Sequence, residues 1–262
     1  MDKEKVVGIK KYNLKKYLKK DYFGGDYEEG ANNFLFYNNL RDIKIDKEDL
    51  IIDYRENLEN DLSVVHFIVY YPIIINETKN KFEQLFIYQR TNKVHDKRLS
   101  GLWSCGIGGH VNETDYHEYL NSEKSESQDI SLSKLLDIAL KRELDEEVDF
   151  SDMGDITKVV KTYSVILDET SDVGKVHIGF TGKIVLKINN QLSEKHKPEF
   201  NLILKETELD NGVFIDASDL ISSQRHLRYN FEKWSENIIN NIIDDKRSRA
   251  HTMDKLLDES IS

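Results

Sequence analysis

Hydrophobic positions along the chain recur with two periods. Val64 to Ile75 is an almost unbroken run of β-branched and aromatic residues and Phe82 to Gln89 is a second, which predicts two strands. Asn76 to Lys81 between them has hairpin chemistry, and Pro72 predicts an edge or a bulge. Lys158 to Leu167 and Lys175 to Ile188 predict two more strands, joined by a turn around Ser171-Asp172-Val173-Gly174; Asn201 to Lys205 and Gly212 to Ile215 add short ones. The period becomes helical at Leu132, Leu135, Leu136, Ala139, Leu140 and Leu144, and again at Leu227, Phe231, Trp234, Ile238 and Ile242. Residues 1–60 are poorly periodic and broken by Gly24-Gly25, so they read as an N-terminal extension; 61–245 read as the main domain and 246–262 as a polar tail.

Composition narrows the class. The chain has 262 residues, 39% of them apolar, enough for a core, and no run approaches the roughly 20 apolar residues of a membrane helix. Its single cysteine, Cys105, excludes an intramolecular disulfide and fits a reducing compartment; with no apolar leader after Met1, the cytoplasm is expected. The net charge of −11 hides an asymmetry: residues 1–20 hold eight lysines against Asp2 and Glu4, which leaves −17 on the other 242 residues. The lysine-rich start reads as a solvated helix or frayed terminus, and the acidic body argues against nucleic acid as a partner.

The candidate chemistry lies where the first helical stripe ends, in Arg142-Glu143-Leu144-Asp145-Glu146-Glu147. At about 100° per residue, Glu143, Glu146 and Glu147 fall within one arc of roughly 100°. Crowded carboxylates repel, and a hard cation such as Mg²⁺ or Mn²⁺ relieves that repulsion. Upstream stands a Gly-rich loop, Gly106-Ile107-Gly108-Gly109-His110-Val111, and then a polar stretch, Asn112 to Ser131, with six acids and one lysine. That stretch reads as a mobile acidic surface insertion.

The order strand, Gly-Gly loop, Arg-Glu-Leu-x-Glu-Glu helix, strand resembles the Nudix hydrolases, whose box is G-x5-E-x7-R-E-U-x-E-E-x-G-U with U apolar. The resemblance covers residues 62 to about 243. It implies an α+β fold, an α/β/α sandwich with a mixed sheet, and a pyrophosphohydrolase that cleaves a diphosphate linkage in a nucleotide or nucleoside diphosphate derivative. It also implies that Glu143, Glu146 and Glu147 hold Mg²⁺ or Mn²⁺, that Gly108 and Gly109 shape the loop against the substrate, and that Arg142 pairs with a box carboxylate. Many relatives form homodimers. Several stretches, including Val173-Gly174-Lys175-Val176-His177-Ile178-Gly179, resemble a bacterial subgroup known only as phosphoesterases.

This chain departs from the box. Arg142 follows Gly109 by 33 positions, nineteen more than the box spacing. Counting back from Arg142 puts Lys134 at the first box glutamate, whereas counting forward from Gly109 puts Asp115 there. Asp149 stands at the box's last glycine.

Other residues carry alternatives. Arg90 is a candidate for substrate phosphate or a surface ion pair; His110 for phosphate, metal or a loop-fixing hydrogen bond. His177 alternates with Val176 and Ile178, which turns it toward a cleft or solvent as a substrate contact. Glu147 ranks first as general base and Glu206 second, with Glu208, Asp168 and Glu169 further candidates. Two other functions stay open: a non-catalytic ligand sensor or scaffold on the same fold, and isopentenyl-diphosphate-isomerase-like chemistry at Cys105, which also reads as a small buried strand residue.

Overall fold

The computed structural model describes residues 4–17, 31–36, 43–75, 84–94, 97–122, 128–153, 155–188, 202–216 and 229–241. The chain opens with β1 (Lys5–Lys10), α1 (Lys11–Leu14), β2 (Asn32–Phe36), β3 (Lys44–Asp46), β4 (Leu50–Tyr54), α2 (Arg55–Glu59) and β5 (Val64–Val69). Next come β6 (Tyr71–Ile75), β7 (Gln84–Arg90), β8 (Trp103–Ser104), β9 (Gly106–Ile107), α3 (Glu113–Ser122), β10 (Asp129–Ser131) and α4 (Leu132–Glu147). Then follow β11 (Val148–Asp149), β12 (Ile156–Asp168), β13 (His177–Ile188), β14 (Ile203–Leu204) and β15 (Leu209–Asp216). A last helix occupies residues 233–241. The class is α+β with mixed strand pairing.

The chain divides into two compact units. The first comprises residues 1–71, 107–147 and 160–183. In it β1 lies between β4 and β5, antiparallel to both, and β5 runs parallel to the first half of β13, His177 facing His66 and Phe180 facing Val69. β12 pairs with β13 and with β2. All six residues of β5 are buried, as expected of a strand covered on both faces. The stripe Leu132, Leu135, Leu136, Ala139 and Leu140 lies at 3% exposure or less, which seats α4 by its apolar side.

Three expectations need correction here. Over Lys5–Lys10 the lysine-rich start is a strand and not a solvated helix or frayed terminus; only Lys11–Leu14 after it is helical. Val6, Val7 and Ile9 are fully buried in β1, because the lysines flank this apolar core and do not interrupt it. Of those lysines, Lys5 pairs with Glu113 and Lys16 with Asp49. The acidic insertion is not a mobile loop over its described part. Residues 113–122 form α3, which packs on α4 with Asp115 and Tyr119 buried, and Asp129–Ser131 pair with β3. The Tyr119 hydroxyl accepts a hydrogen bond from the Ser131 amide at 2.9 Å, tying α3 to the end of the insertion.

The second unit comprises residues 72–106, 148–159 and 184–262. Here β7 pairs antiparallel with β15, β6 and β8, and β6 runs parallel to the second half of β13. Pro72 thus sits in an interior strand and not at an edge; β6 pairs with β13 from Ile73 and with β7 from Ile74, past the proline. Ile238 and Ile239 bury the last helix, while Leu227, Ile242, the hairpin at 76–81 and the tail from 246 lie outside the described residues.

Candidate active site

The apolar stripe of α4 turns acidic at its end. Glu143 and Glu147 continue the spacing of Leu136, Ala139 and Leu140, and their side chains are buried on the same face. The last turn holds Asp145, Glu146 and Glu147 and no basic residue, at the pole of the helix that already carries partial negative charge. Burial raises the Glu143 pKa to about 7, against the opposing charge and hydrogen bond of Arg142. A buried carboxylate that holds its proton near neutrality is a position where a cation gains much by replacing that proton.

The Gly-Gly loop lies against these carboxylates. The Gly108 amide donates to Glu147 Oε2 at 2.9 Å. Gly108 has φ 139°, and a side chain there would strike the Val69 carbonyl, so the position requires glycine. A Cβ on Gly109 would come 2.7 Å from Glu143 Oε1. The second glycine therefore leaves open the space beside that oxygen. Carboxylate donors and a cradle kept clear by glycine suit a hard divalent cation.

Arg142 holds the assembly together. Its Nε and Nη2 donate to the two oxygens of Asp115 at 2.8 and 2.9 Å, a bidentate pair. Nη2 also donates to the His110 carbonyl at 2.8 Å, and Nη1 reaches Glu146 at 2.8 Å and Glu143 at 2.9 Å. Burial opposes the charge on Arg142, but the Asp115 hydrogen bond and the carboxylates around it raise its pKa overall. Asp115 is 1% exposed and also closes a reciprocal cap on α3: it accepts from the Asn112 amide while Asn112 Oδ1 accepts from the Asp115 amide. The forward count is therefore the one the fold realises. Asp115 meets the box arginine, and Lys134 is exposed on the first turn of α4. Glu146 differs from its two partners in being half exposed (51% for the side chain), although Arg142 holds it as it holds Glu143. Asp149 adopts ordinary geometry in β11; among the described non-glycine residues only Asn211 has positive φ.

His110 points its ring elsewhere, toward two other histidines. His110 Nε2 lies 3.4 Å from His66 Nδ1 and 3.3 Å from His177 Nε2. His177 faces neither an open cleft nor solvent: it is 6% exposed, with Val176 and Ile178 buried as well, because both faces of β13 are covered at this point. Its Nδ1 donates to the Val173 carbonyl at 2.6 Å. Burial lowers the pKa of His66, and burial together with His66 lowers that of His177 to about 4. His66 was not among the sequence candidates. It looks like one polar residue in Val64-Val65-His66-Phe67-Ile68-Val69, and only strand pairing brings it opposite His177.

The remaining candidates have other surroundings. Asp168 is fully buried, accepting from the Thr170 amide and the Ser171 hydroxyl in a tight turn. In the second unit Arg90 forms a largely buried ion pair with Glu232 at 3.4 Å, and Glu232 also accepts from Ser104 at 2.6 Å. Glu206 is exposed in the turn between β14 and β15. Cys105 is fully buried with its amide on Ser235, and burial pushes its thiol up to about 12, so isomerase chemistry gains no support from it.

No family model matches the sequence. Protein YmaB of Bacillus subtilis (strain 168) is 26% identical over 157 residues, 60% of this chain and 64% of YmaB, so the match spans less than two thirds of that relative. Among solved structures, Tm1382, provisionally assigned as a Nudix hydrolase, superposes with a TM-score of 0.55 at 20% identity, covering 92% of this chain and 99% of Tm1382. A Nudix hydrolase from Alicyclobacillus acidocaldarius matches at a TM-score of 0.38 and 11% identity, over 68% of this chain and 90% of its own. No helix among the described residues is long and apolar enough to cross a membrane. With its mixed sheet, its Gly-Gly loop and the acidic end of α4, the chain has the Nudix hydrolase fold.

Proposed function

We propose that this protein is a divalent-metal-dependent hydrolase that cleaves a diphosphate linkage in a nucleotide or nucleoside diphosphate derivative, with its chemistry in the Gly-Gly loop and α4. The observation that carries the reading is the buried carboxylate pair Glu143 and Glu147 beside Gly108 and Gly109, where Glu143 keeps its proton up to about pH 7. Glu143, Glu146 and Glu147 would hold Mg²⁺ or Mn²⁺. When bound, such a cation supplies charge neutralisation for the diphosphate and lowers the pKa of an attacking water.

The chain's own residues do the positioning. Gly108 fixes one oxygen of Glu147 through its amide, which orients the carboxylate to ligate a cation or to take the proton of the attacking water. Arg142 anchors Glu146 and the loop carbonyl of His110 at once, so the loop and the acids keep one spacing. Glu147 is the first choice for general base and Glu206 the second. We place the catalytic domain at residues 61–245, with β1 of the N-terminal segment built into its sheet, and the protein in the cytoplasm.

The test is phosphate release, coupled to pyrophosphatase where needed, across nucleoside diphosphate sugars, dinucleotides, ADP-ribose and nucleoside triphosphates. Turnover is expected only with Mg²⁺ or Mn²⁺. It should fall at least about a hundredfold in the double variant Glu146→Gln, Glu147→Gln, the scale of losing electrostatic transition-state stabilisation. Metal-independent turnover, or a double variant as active as the parent, would remove the reading. Ligand-induced thermal stabilisation without product would point to a sensor instead.

A further inference from the structure

Three imidazoles meet within the first unit, a donor set chemically unlike the carboxylates of α4. We infer that His66, His110 and His177 form a three-histidine site for a borderline transition-metal cation such as Zn²⁺ or Co²⁺.

Distance is the first argument. Zinc–imidazole bonds of about 2.0–2.1 Å at a tetrahedral angle put neighbouring nitrogens roughly 3.3–3.4 Å apart. The nitrogens measured here are 3.4 Å (His66 Nδ1 to His110 Nε2) and 3.3 Å (His110 Nε2 to His177 Nε2) apart, and one donor atom from each ring lies within 4.8 Å of the other two.

Proton counting is the second. His177 Nδ1 sits 2.6 Å from the Val173 carbonyl and must carry its hydrogen there, so Nε2 turns a lone pair toward His110. One hydrogen on His110 Nε2 cannot serve both of its short nitrogen contacts at once. A cation at the point of convergence serves all three rings. The His177–Val173 bond is also the outer-shell hydrogen bond that orients a metal-ligating histidine.

Rigidity and burial complete the case. His66 and His177 are register partners on β5 and β13, so the sheet itself sets their separation. His66 is fully buried and no acceptor meets the hydrogen-bond geometry of its Nε2, although the Leu58 carbonyl attracts the ring. The paired Arg55 and Glu59 on α2 are the charges felt by both His66 and His177. Imidazole nitrogens favour Zn²⁺ or Co²⁺ strongly over Mg²⁺, whereas the carboxylates of α4 also suit Mg²⁺.

The experiment is Co²⁺ titration of the metal-free full-length protein, followed by the visible d–d absorption of nitrogen-ligated Co²⁺ and by its displacement with Zn²⁺. One equivalent should bind, with a spectrum unchanged by excess Mg²⁺ and unchanged in the Glu146→Gln, Glu147→Gln variant. His66→Phe, His110→Ala and His177→Gln should each weaken binding by more than about a hundredfold, beyond the 10–100-fold effect of losing an outer-shell partner. Circular dichroism identifies any variant that fails to fold, and His110→Ala, a loop change, keeps the comparison open in that event. No absorption band in the parent protein overturns the site. So does a band that the histidine variants keep and the glutamate variant loses. Both results are independent of whether the protein hydrolyses any diphosphate.

Discussion

At the scale of single residues, two buried titrating groups pull the stability of the metal-free protein in opposite directions. Glu143 has a folded pKa of about 7 against an ordinary 4.5, so between those values the folded protein keeps a proton that the unfolded chain has released. Stability from this residue is present below about pH 4.5 and is lost as pH rises through 7. His177 is the reverse: its folded value of about 4 lies below 6.5, so its contribution is present above pH 6.5 and is lost as pH falls toward 4. Each effect is on the order of a few kcal/mol across its window. Melting temperatures in chelator from pH 4 to 8 should therefore be compared with the parent profile, which carries both contributions. Glu143→Gln should tilt it upward with pH, and His177→Gln should tilt it downward. Three parallel profiles would show that neither residue titrates as described. The carboxylates were legible in the sequence as a helical arc, because α4 obeys a 3.6-residue period. Glu146 departs from that reading: the arc counts positions only, and Arg142 captures its side chain toward solvent.

At the scale of elements, α3 supplies what the spacing of the box withholds. Asp115 at its third position both caps the helix and takes the Arg142 guanidinium, with 1% exposure. Asp115→Asn should cost about 3 kcal/mol, the low end for breaking a buried ion pair, since Arg142 keeps Glu146. Lys134→Ala, on the exposed side of α4, should stay within about 0.5 kcal/mol. Urea unfolding of both variants checks the order, and an inverted order would restore the backward count. A residue count along the chain could not choose between Asp115 and Lys134. The choice depends on α3 folding back onto α4, a tertiary contact that six acids and several serines disguise as a loop.

At the scale of the molecule, the strands that build each unit come from distant parts of the chain. β1 is the clearest case. It holds both β4 and β5, and Val6, Val7 and Ile9 are fully buried. Three such side chains at roughly 1.5–3 kcal/mol each, with two ladders of hydrogen bonds, approach the 5–15 kcal/mol that keeps a domain folded. A chain beginning at residue 12 should lose its cooperative thermal transition in circular dichroism; a transition within a few degrees of the parent would make β1 dispensable. Strands β7, β12 and β13 were legible from β-branched runs, whereas the run Val64 to Ile75, read as one strand, is divided at Tyr70 into β5 and β6. The role of β1 was not, since four apolar-facing positions among lysines carry too little periodic signal. The histidine cluster was hidden for a related reason, as its members stand 44 and 67 positions apart and meet only through strand register. His110 belongs to both neighbourhoods, its carbonyl on Arg142 and its ring among the other imidazoles. Thermodynamic linkage then makes the two sides answerable to each other. By whatever factor occupancy at the histidines alters cation affinity at the carboxylates, occupancy at the carboxylates alters affinity at the histidines by that same factor.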